Sequence, residues 1–134
     1  MTDRPSALPP ALVHEFVGKS HSDLDRVREL LEQEPGLVNA SWNWGGGDWE
    51  TGLGAASHVG RRDIALYLLE NGARPDLFAA AMLGKLNVVR AILEEIPEAR
   101  HAIGPHGIPL LVHAHMGGEE AEAVVAYLES LEDE

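Results

Sequence analysis

Two segments of this chain have nearly the same sequence. Residues 23–35 are DLDRVRELLEQEP and residues 85–97 are KLNVVRAILEEIP, an offset of 62 positions. The matching residues of the two segments are Val27 and Val89, Leu31 and Leu93, and Pro35 and Pro97. A recurrence at such an offset indicates that one supersecondary unit is used more than once. The sequence therefore predicts a stack of repeats rather than a single closed globule.

The repeated segments also have the hydrophobic spacing of helices. Their apolar residues lie three or four positions apart, with charged residues between them. This spacing predicts four outer helices, near residues 23–33, 62–71, 86–96 and 119–131. Each outer helix follows a shorter inner segment. The inner segments of the last three units are rich in small residues and end at Gly60, Gly84 and Gly117. We expect these glycines to be left-handed, because a tight turn between helices requires that conformation. The predicted fold is all-α, with four helix-turn-helix units.

Residues 51–76, TGLGAASHVGRRDIALYLLENGARPD, resemble the ankyrin repeat, and residues 108–118, IPLLVHAHMGG, resemble it again. The spacing of 33 positions between Gly84 and Gly117 equals the ankyrin period. The chain is also similar to small, stand-alone ankyrin repeat proteins of bacteria that contain the strings WGGGD and LFAAAMLG. The resemblance covers about residues 12–131. It implies an ankyrin-type solenoid that binds other proteins through its fingers and inner helices.

The spacing of the units departs from the ankyrin period in two places. The second unit is 38 positions long, which predicts an enlarged hairpin or loop finger. The third unit is 24 positions long, which predicts that its finger is missing. The resemblance also implies an inner-helix histidine, but Gly54, Phe78 and Leu111 stand in its place. Apolar packing between the units must therefore contribute more than polar bonding.

The length and charge of the chain narrow the possible partners. At 134 residues it is predicted to be one domain, with a flexible or capping segment at residues 1–11 and an acidic tail at residues 132–134. It has no cysteine and no secretion signal, so a cytoplasmic location is expected. A net charge of -12 and the lack of a long apolar segment argue against binding to nucleic acid or membranes.

The enlarged finger contains all three tryptophans of the protein, in the sequence ASWNWGGGDWE at residues 40–50. Tryptophan is frequent among residues that dominate protein interfaces, and neighbouring carboxylates can hold a basic group. The predicted partner contacts in the finger and along the inner helices are Trp42, Trp44, Asp48, Trp49, Glu50, His58, Met82 and His115. In the alternative, the indoles only cover the apolar ledge that the missing third finger leaves, and Asp48 only caps a turn.

The histidines give no metal motif in the sequence. His58 and His115 occupy matching positions, but the whole third unit, with Met82 at that position, lies between them. Helices packed about 8–10 Å apart would keep the two rings too distant for one ion. His106 and His113 are predicted to be polar surface residues or contacts between units. No metal site and no cofactor are therefore predicted.

The sequence has no HExxH, GxSxG or dinucleotide-binding glycine pattern. The predicted function is a non-catalytic module for protein–protein interaction, either monomeric or weakly self-associating, whose protein partner carries a basic patch. Two alternatives remain open. One is a small-molecule-binding or hydrolytic protein with an acid–base site at Asp48, Glu50 and His58. The other is a structural protein that self-associates.

Overall fold

The computed structural model describes residues 4–132 of the chain. Within that span the protein is mostly helical and has one small sheet. The α-helices of the described residues are α1 (Pro10–Lys19), α2 (Leu24–Gln33), α3 (Gly52–His58), α4 (Arg62–Glu70), α5 (Leu77–Met82), α6 (Leu86–Glu95), α7 (Leu110–Met116) and α8 (Glu122–Glu132). Strands β1 (Ser41–Asn43) and β2 (Trp49–Thr51) pair antiparallel. A predominantly helical fold, as predicted, is confirmed.

Aspartate side chains that accept from backbone N–H groups begin two of the helices, and prolines, which lack this N–H, follow the ends of two helices. The Asp23 carboxylate accepts a hydrogen bond from the backbone N–H of Arg26 at the start of α2. Asp76 does the same for Ala79 at the start of α5. After α2 and α6 the chain turns into 3-10 helices at Pro35–Asn39 and Pro97–His101. The predicted bounds of α2, α4 and α6 agree with the structure to within one residue.

The tight turns between the helices of a pair are formed partly as predicted. Gly60 and Gly84 are left-handed, with φ of 75° and 77°. The prediction for Gly117 is wrong, because its φ is -77° and the left-handed residue is Gly118. A 3-10 helix at Gly118–Ala121 moves this turn by one residue. Gly117 is needed for space instead, since a Cβ there would overlap the carbonyl oxygen of Met82.

The helices form four consecutive pairs around an apolar interior. The first helices of the pairs, α1, α3, α5 and α7, contact one another in sequence, and α3 also contacts α7. Among the second helices, α2 packs on α4 and α6 packs on α8. Alanines of α3 and α5 are buried and allow these close approaches. The buried side chains form two clusters, one mainly within the first two pairs and one within the last two.

The segments that precede the inner helices differ in length and contact. The enlarged finger before α3 is a hairpin, in which Trp42 pairs with Glu50. The segment between α4 and α5 forms no strand among the described residues, as expected for a missing finger. The loop before α7 closes on itself through a bridge between Ile103 and Pro109. His106 of that loop bonds to Asp48 of the hairpin, so these two fingers meet.

The described chain packs against the protein interior near its start, and its last residues belong to helix α8. Leu8 packs against the apolar interior and α1 begins at Pro10. Residues 1–3 and 133–134, parts of the predicted N-terminal segment and acidic tail, lie outside the described residues. Among residues 4–132, no helix combines the length and the apolar character that crossing a membrane requires.

Candidate metal centre

Four side chains from separate parts of the chain converge beside the hairpin. His21 lies in the turn after α1, Glu50 lies on β2, His58 ends α3, and His106 lies in the loop before α7. One possible ligand atom from each residue lies within 4.8 Å of all the others. We call these four residues the histidine–glutamate cluster.

The Glu50 carboxylate is the centre of this cluster. His21 Nε2 lies 3.3 Å from its Oε1, and His58 Nε2 and His106 Nε2 lie 3.0 and 3.1 Å from its Oε2. The Nε2 atoms of His21 and His58 are themselves 3.1 Å apart. The histidines therefore present the same ring nitrogen, Nε2, towards one carboxylate.

Glu50 is buried, and its two oxygens have different surroundings. Oε1 accepts a hydrogen bond of 3.0 Å from the indole N–H of Trp44. Oε2 accepts no hydrogen bond of acceptable geometry from any described residue, although two ring nitrogens are close to it. Burial alone would raise the pKa of this carboxyl, but His21, His58 and Trp44 outweigh burial and lower it to about 2. Glu50 is thus a buried carboxylate anion whose Oε2 lies close to two imidazole nitrogens without a well-formed hydrogen bond.

Contacts on the far side of two rings fix which nitrogen faces Glu50. His21 Nδ1 lies 3.0 Å from the carbonyl oxygen of Gly18. His106 Nδ1 lies 2.7 Å from Asp48 Oδ2. Both partners only accept, so each Nδ1 must carry the hydrogen, and in the neutral rings Nε2 carries the lone pair. This is the arrangement by which outer carbonyls and carboxylates orient histidine ligands of metals.

His106 is held in an unusual backbone conformation. Its backbone φ is 61°, a left-handed value that residues other than glycine rarely adopt. Besides the ring contact, its backbone N–H donates to Asp48 Oδ1 at 2.8 Å. The hydrogen bond from the backbone N–H of His106 lowers the pKa of Asp48 most, and the contact with the His106 ring lowers it further. Together they keep the carboxylate charged. Asp48 therefore positions both the backbone and the ring of His106.

Either protons on the rings or a metal ion would balance the charge of the Glu50 carboxylate. With the hydrogen on Nδ1, a neutral ring of His21 or His106 would direct a lone pair at that carboxylate. The pKa of His21 is raised despite its partial burial, because a protonated ring can donate a hydrogen bond to Glu50. A single proton satisfies one of these contacts. Protons on both His21 and His58 would place like charges 3.1 Å apart.

One divalent ion would satisfy all four contacts. Donors about 2.0–2.1 Å from a tetrahedral zinc ion lie about 3.3 Å from one another. His58 and His106 lie 3.0 and 3.1 Å from Glu50 Oε2, and His21 lies 3.3 Å from Oε1, while one ligand atom from each of the four residues lies within 4.8 Å of the others. Imidazole and carboxylate ligands suit zinc and neighbouring first-row metals such as iron, cobalt, nickel and copper.

The tryptophans of the hairpin have three different environments. Trp42 is half-buried against the apolar interior, and its ring lies 4.9 Å from that of His14. Trp44 is partly exposed and bonds to Glu50, with its ring centroid 5.9 Å from that of His106. Trp49 is 58% exposed. Trp44 and Trp49 are thus both exposed, at 39% and 58%, and Trp44 also contacts the cluster through Glu50.

Two of the predicted contacts on the inner helices lie elsewhere. Met82 is completely buried, so its prediction as a partner contact is wrong. The small residues of the inner helices allow such close packing that the Met82 carbonyl faces Gly117. His115 is exposed on α7 near Glu119 and Glu122 and is not part of the cluster. The predicted residues that the structure does bring together are Trp44, Asp48, Glu50 and His58.

Sequence reasoning missed His21 entirely and assigned His106 to the surface or to contacts between units. The available signal was the deletion in the third unit. With no third finger between them, the fingers of the second and fourth units become neighbours, which places His106 beside Asp48 and Glu50. His21 gave no comparable signal, because only folding brings the turn after α1 next to α3.

A groove lies between the same two fingers. Trp49 of the hairpin and Ile103 of the loop before α7 flank it, and they are 58% and 60% exposed. Phe78 lines it together with Asp48 and Asp76, and its volume is about 370 Å³. The groove thus combines aromatic and aliphatic side chains with two acidic residues.

None of the comparisons with models of protein families, with curated protein sequences and with solved structures gives a match for this chain. The ankyrin resemblance thus remains a prediction from the sequence.

Proposed function

We propose that this protein is an ankyrin-type repeat domain that binds a divalent transition-metal ion at His21, Glu50, His58 and His106. The observation that carries the proposal is the convergence of three Nε2 atoms on one buried carboxylate. The fold part is supported by the four helix pairs and by the left-handed glycines at Gly60 and Gly84.

The chemistry favours an ion of the zinc class. The ligand set has nitrogen and oxygen donors and no thiolate, since the chain has no cysteine. Hard ions such as calcium and magnesium prefer shells of oxygen, which three imidazoles do not supply. The proposed ion links the first, second and fourth helix pairs, so its binding is expected to stabilise the fold.

Zinc binding by untagged protein tests this proposal. Equilibrium dialysis followed by elemental analysis is expected to give one tightly bound zinc per chain. His58→Asn removes one ligand from a partly exposed position and is expected to weaken binding by at least about 10–100-fold, the loss seen even for outer-shell partners. His115→Asn, on another inner helix, is the matched control and should bind as the wild type does.

The proposal fails if wild-type protein and His58→Asn bind zinc equally, or if His115→Asn loses as much affinity as His58→Asn. Circular dichroism of each variant shows whether its helices are intact. Glu50→Gln is a second test, because it keeps the shape of the side chain and removes its charge. It is also expected to lose the ion.

A second candidate function is protein binding at the groove between the fingers. The exposed Trp49 and Ile103 favour it, because large apolar side chains around a groove are typical of interaction sites. Asp48, Asp76 and the net charge of -12 favour a partner with a basic patch. We propose a cytoplasmic setting for either function, on the absence of cysteine.

Affinity capture from the source organism with wild-type protein and Trp49→Ala tests the second candidate. A partner that binds the groove is captured by the wild type and lost with Trp49→Ala, while Val88→Ala, an exposed apolar residue on α6, retains it. Capture of the same proteins by wild type and Trp49→Ala would exclude the groove.

A further inference from the structure

We infer that an ion bound by the four side chains of the histidine–glutamate cluster keeps a fifth coordination position open to solvent and there binds water or a small anion. The inference rests on the proposed metal site and concerns what that ion does. A closed site, with every position filled by the protein, would serve the fold alone. An open site adds the capacity to bind and polarise a ligand.

The exposure of the four side chains supports an open face. The Glu50 side chain is fully buried, whereas the three rings are 13% to 31% exposed. The carboxylate thus approaches the ion from the protein interior, and the rings surround it towards the surface. The side opposite Glu50 faces solvent.

The spacing of the rings indicates where the open position lies. The ring centroid of His58 lies 5.0 Å from that of His21 and 5.1 Å from that of His106. The centroids of His21 and His106 are 6.4 Å apart. His58 is therefore the middle ring of the three, and the widest gap lies between His21 and His106.

Trp44 borders this gap. Its ring centroid lies 6.4 Å from that of His21 and 5.9 Å from that of His106. Its indole N–H is already used by Glu50 Oε1. Trp44 thus presents an aromatic surface to the gap and narrows it, which favours water and small ligands over large ones.

The charge of the ion and its direct ligands favours an anion, and Asp48 behind the His106 ring offsets part of that charge. A divalent ion and the Glu50 carboxylate together leave one positive charge, since the three imidazoles bind as neutral ligands. The carboxylate is buried, so water screens this charge weakly from the interior side. Small monoanions such as azide, cyanide and formate are therefore the expected ligands.

Cobalt substitution tests the inference. Cobalt(II) occupies zinc sites, and its visible absorption changes with coordination number and with the identity of each ligand. Cobalt bound per chain is first measured by elemental analysis, independently of the spectrum. Azide is then titrated into the protein with one cobalt per chain. An open position predicts a saturable spectral change that ends at one azide per cobalt.

Two different failures can be distinguished. Protein that binds one cobalt, but whose spectrum azide leaves unchanged, would overturn the open position and leave the metal site standing. Protein that binds no cobalt in wild-type form would overturn both. If His58→Asn gave the same azide response at an equal concentration of added cobalt, at which it binds less of the ion, the response would belong to loosely bound ions and the open position would be rejected.

Trp44→Phe keeps all four ligands but removes the indole N–H that Glu50 Oε1 accepts, so the cobalt bound per chain is measured first for this variant. Phenylalanine preserves an aromatic ring but is smaller than the indole, so the gap widens. Bulkier anions such as benzoate should gain affinity relative to azide in this variant. An unchanged order of affinities would show that Trp44 does not border the open position.

Discussion

The second and third helix pairs differ in the segment that precedes them, and this difference creates the candidate site. Before α3 the chain forms a hairpin with Asp48 and Glu50 on its second arm. Before α5 it passes directly from α4 through a short segment without a strand. The missing finger leaves space in which the loop before α7 reaches the hairpin. The short segment before the third pair thus lets candidate ligands from the second and fourth pairs come together.

The largest expected effect comes from disturbing the close approach of the fourth pair to α5. Gly84 has a φ of 77°, and a Cβ there would overlap the carbonyl oxygen of Glu120. Gly84→Ala combines backbone strain with overpacking and is expected to cost about 2–5 kcal/mol of unfolding free energy. Urea denaturation measures it.

Gly72→Ala is the matched control for this prediction. Gly72 also has positive φ, at 96°, but nothing lies within 4 Å of a Cβ built there. Its cost is expected to be about 1–2 kcal/mol, from the backbone alone. Equal losses at the two positions would show that the approach of the fourth pair is not tightly packed.

An intermediate effect is expected from Asp48→Asn, which weakens the link between the two fingers. Asparagine keeps one acceptor but loses the charge that holds the His106 ring. Zinc affinity should fall about 10–100-fold, as for other residues that orient ligands. The backbone amide of His106 should also exchange faster with deuterium. Asp63→Asn, in a surface pair with Arg61, should change neither property. Unaltered zinc affinity in Asp48→Asn would remove Asp48 from the site.

The smallest effect concerns His113, a buried histidine outside the cluster. Burial lowers the pKa of His113, and the charge of His58 lowers it slightly more. The hydrogen bond to the Pro109 carbonyl and the charge of Asp76 raise the pKa, but they offset burial only in part. The unfolded chain therefore binds a proton more readily than the folded one. Stability from the neutral ring is complete above the usual pKa of about 6.5 and is lost as the pH falls below it.

Comparison of wild type with His113→Leu measures this contribution. Their difference in unfolding free energy should change between pH 8 and pH 5, in the direction that weakens the wild type at low pH. His115→Leu, on the exposed face of the same helix, should show no such change. A constant difference for His113→Leu would mean that the buried ring is already satisfied when protonated.

The helices were predictable because their information is local. The apolar spacing of Val27, Leu30 and Leu31, together with the flanking caps, determines where α2 lies. The turn at Gly117 was misplaced by one residue, since two adjacent glycines both permit it. Met82 was misjudged because its burial depends on neighbouring inner helices, which local spacing does not reveal.

The candidate site was predictable only in part. The hairpin residues Asp48 and Glu50 and the nearby His58 stood out by their residue types. His21 and His106 did not, because their role depends on contacts across 29 and 56 positions of the chain with Glu50. Such contacts follow from the packing of whole units. The deletion of the third finger was visible in the sequence, but its consequence for His106 required the folded structure.

X-ray absorption at the zinc edge, on protein carrying one zinc per chain, tests the central claim most directly. We predict a first shell of nitrogen and oxygen at about 2.0–2.1 Å, with outer-shell scattering from three imidazole rings. His58→Asn should lose the contribution of one ring. A shell of oxygen without imidazole scattering, or a spectrum that His58→Asn leaves unchanged, would contradict a metal site at the histidine–glutamate cluster.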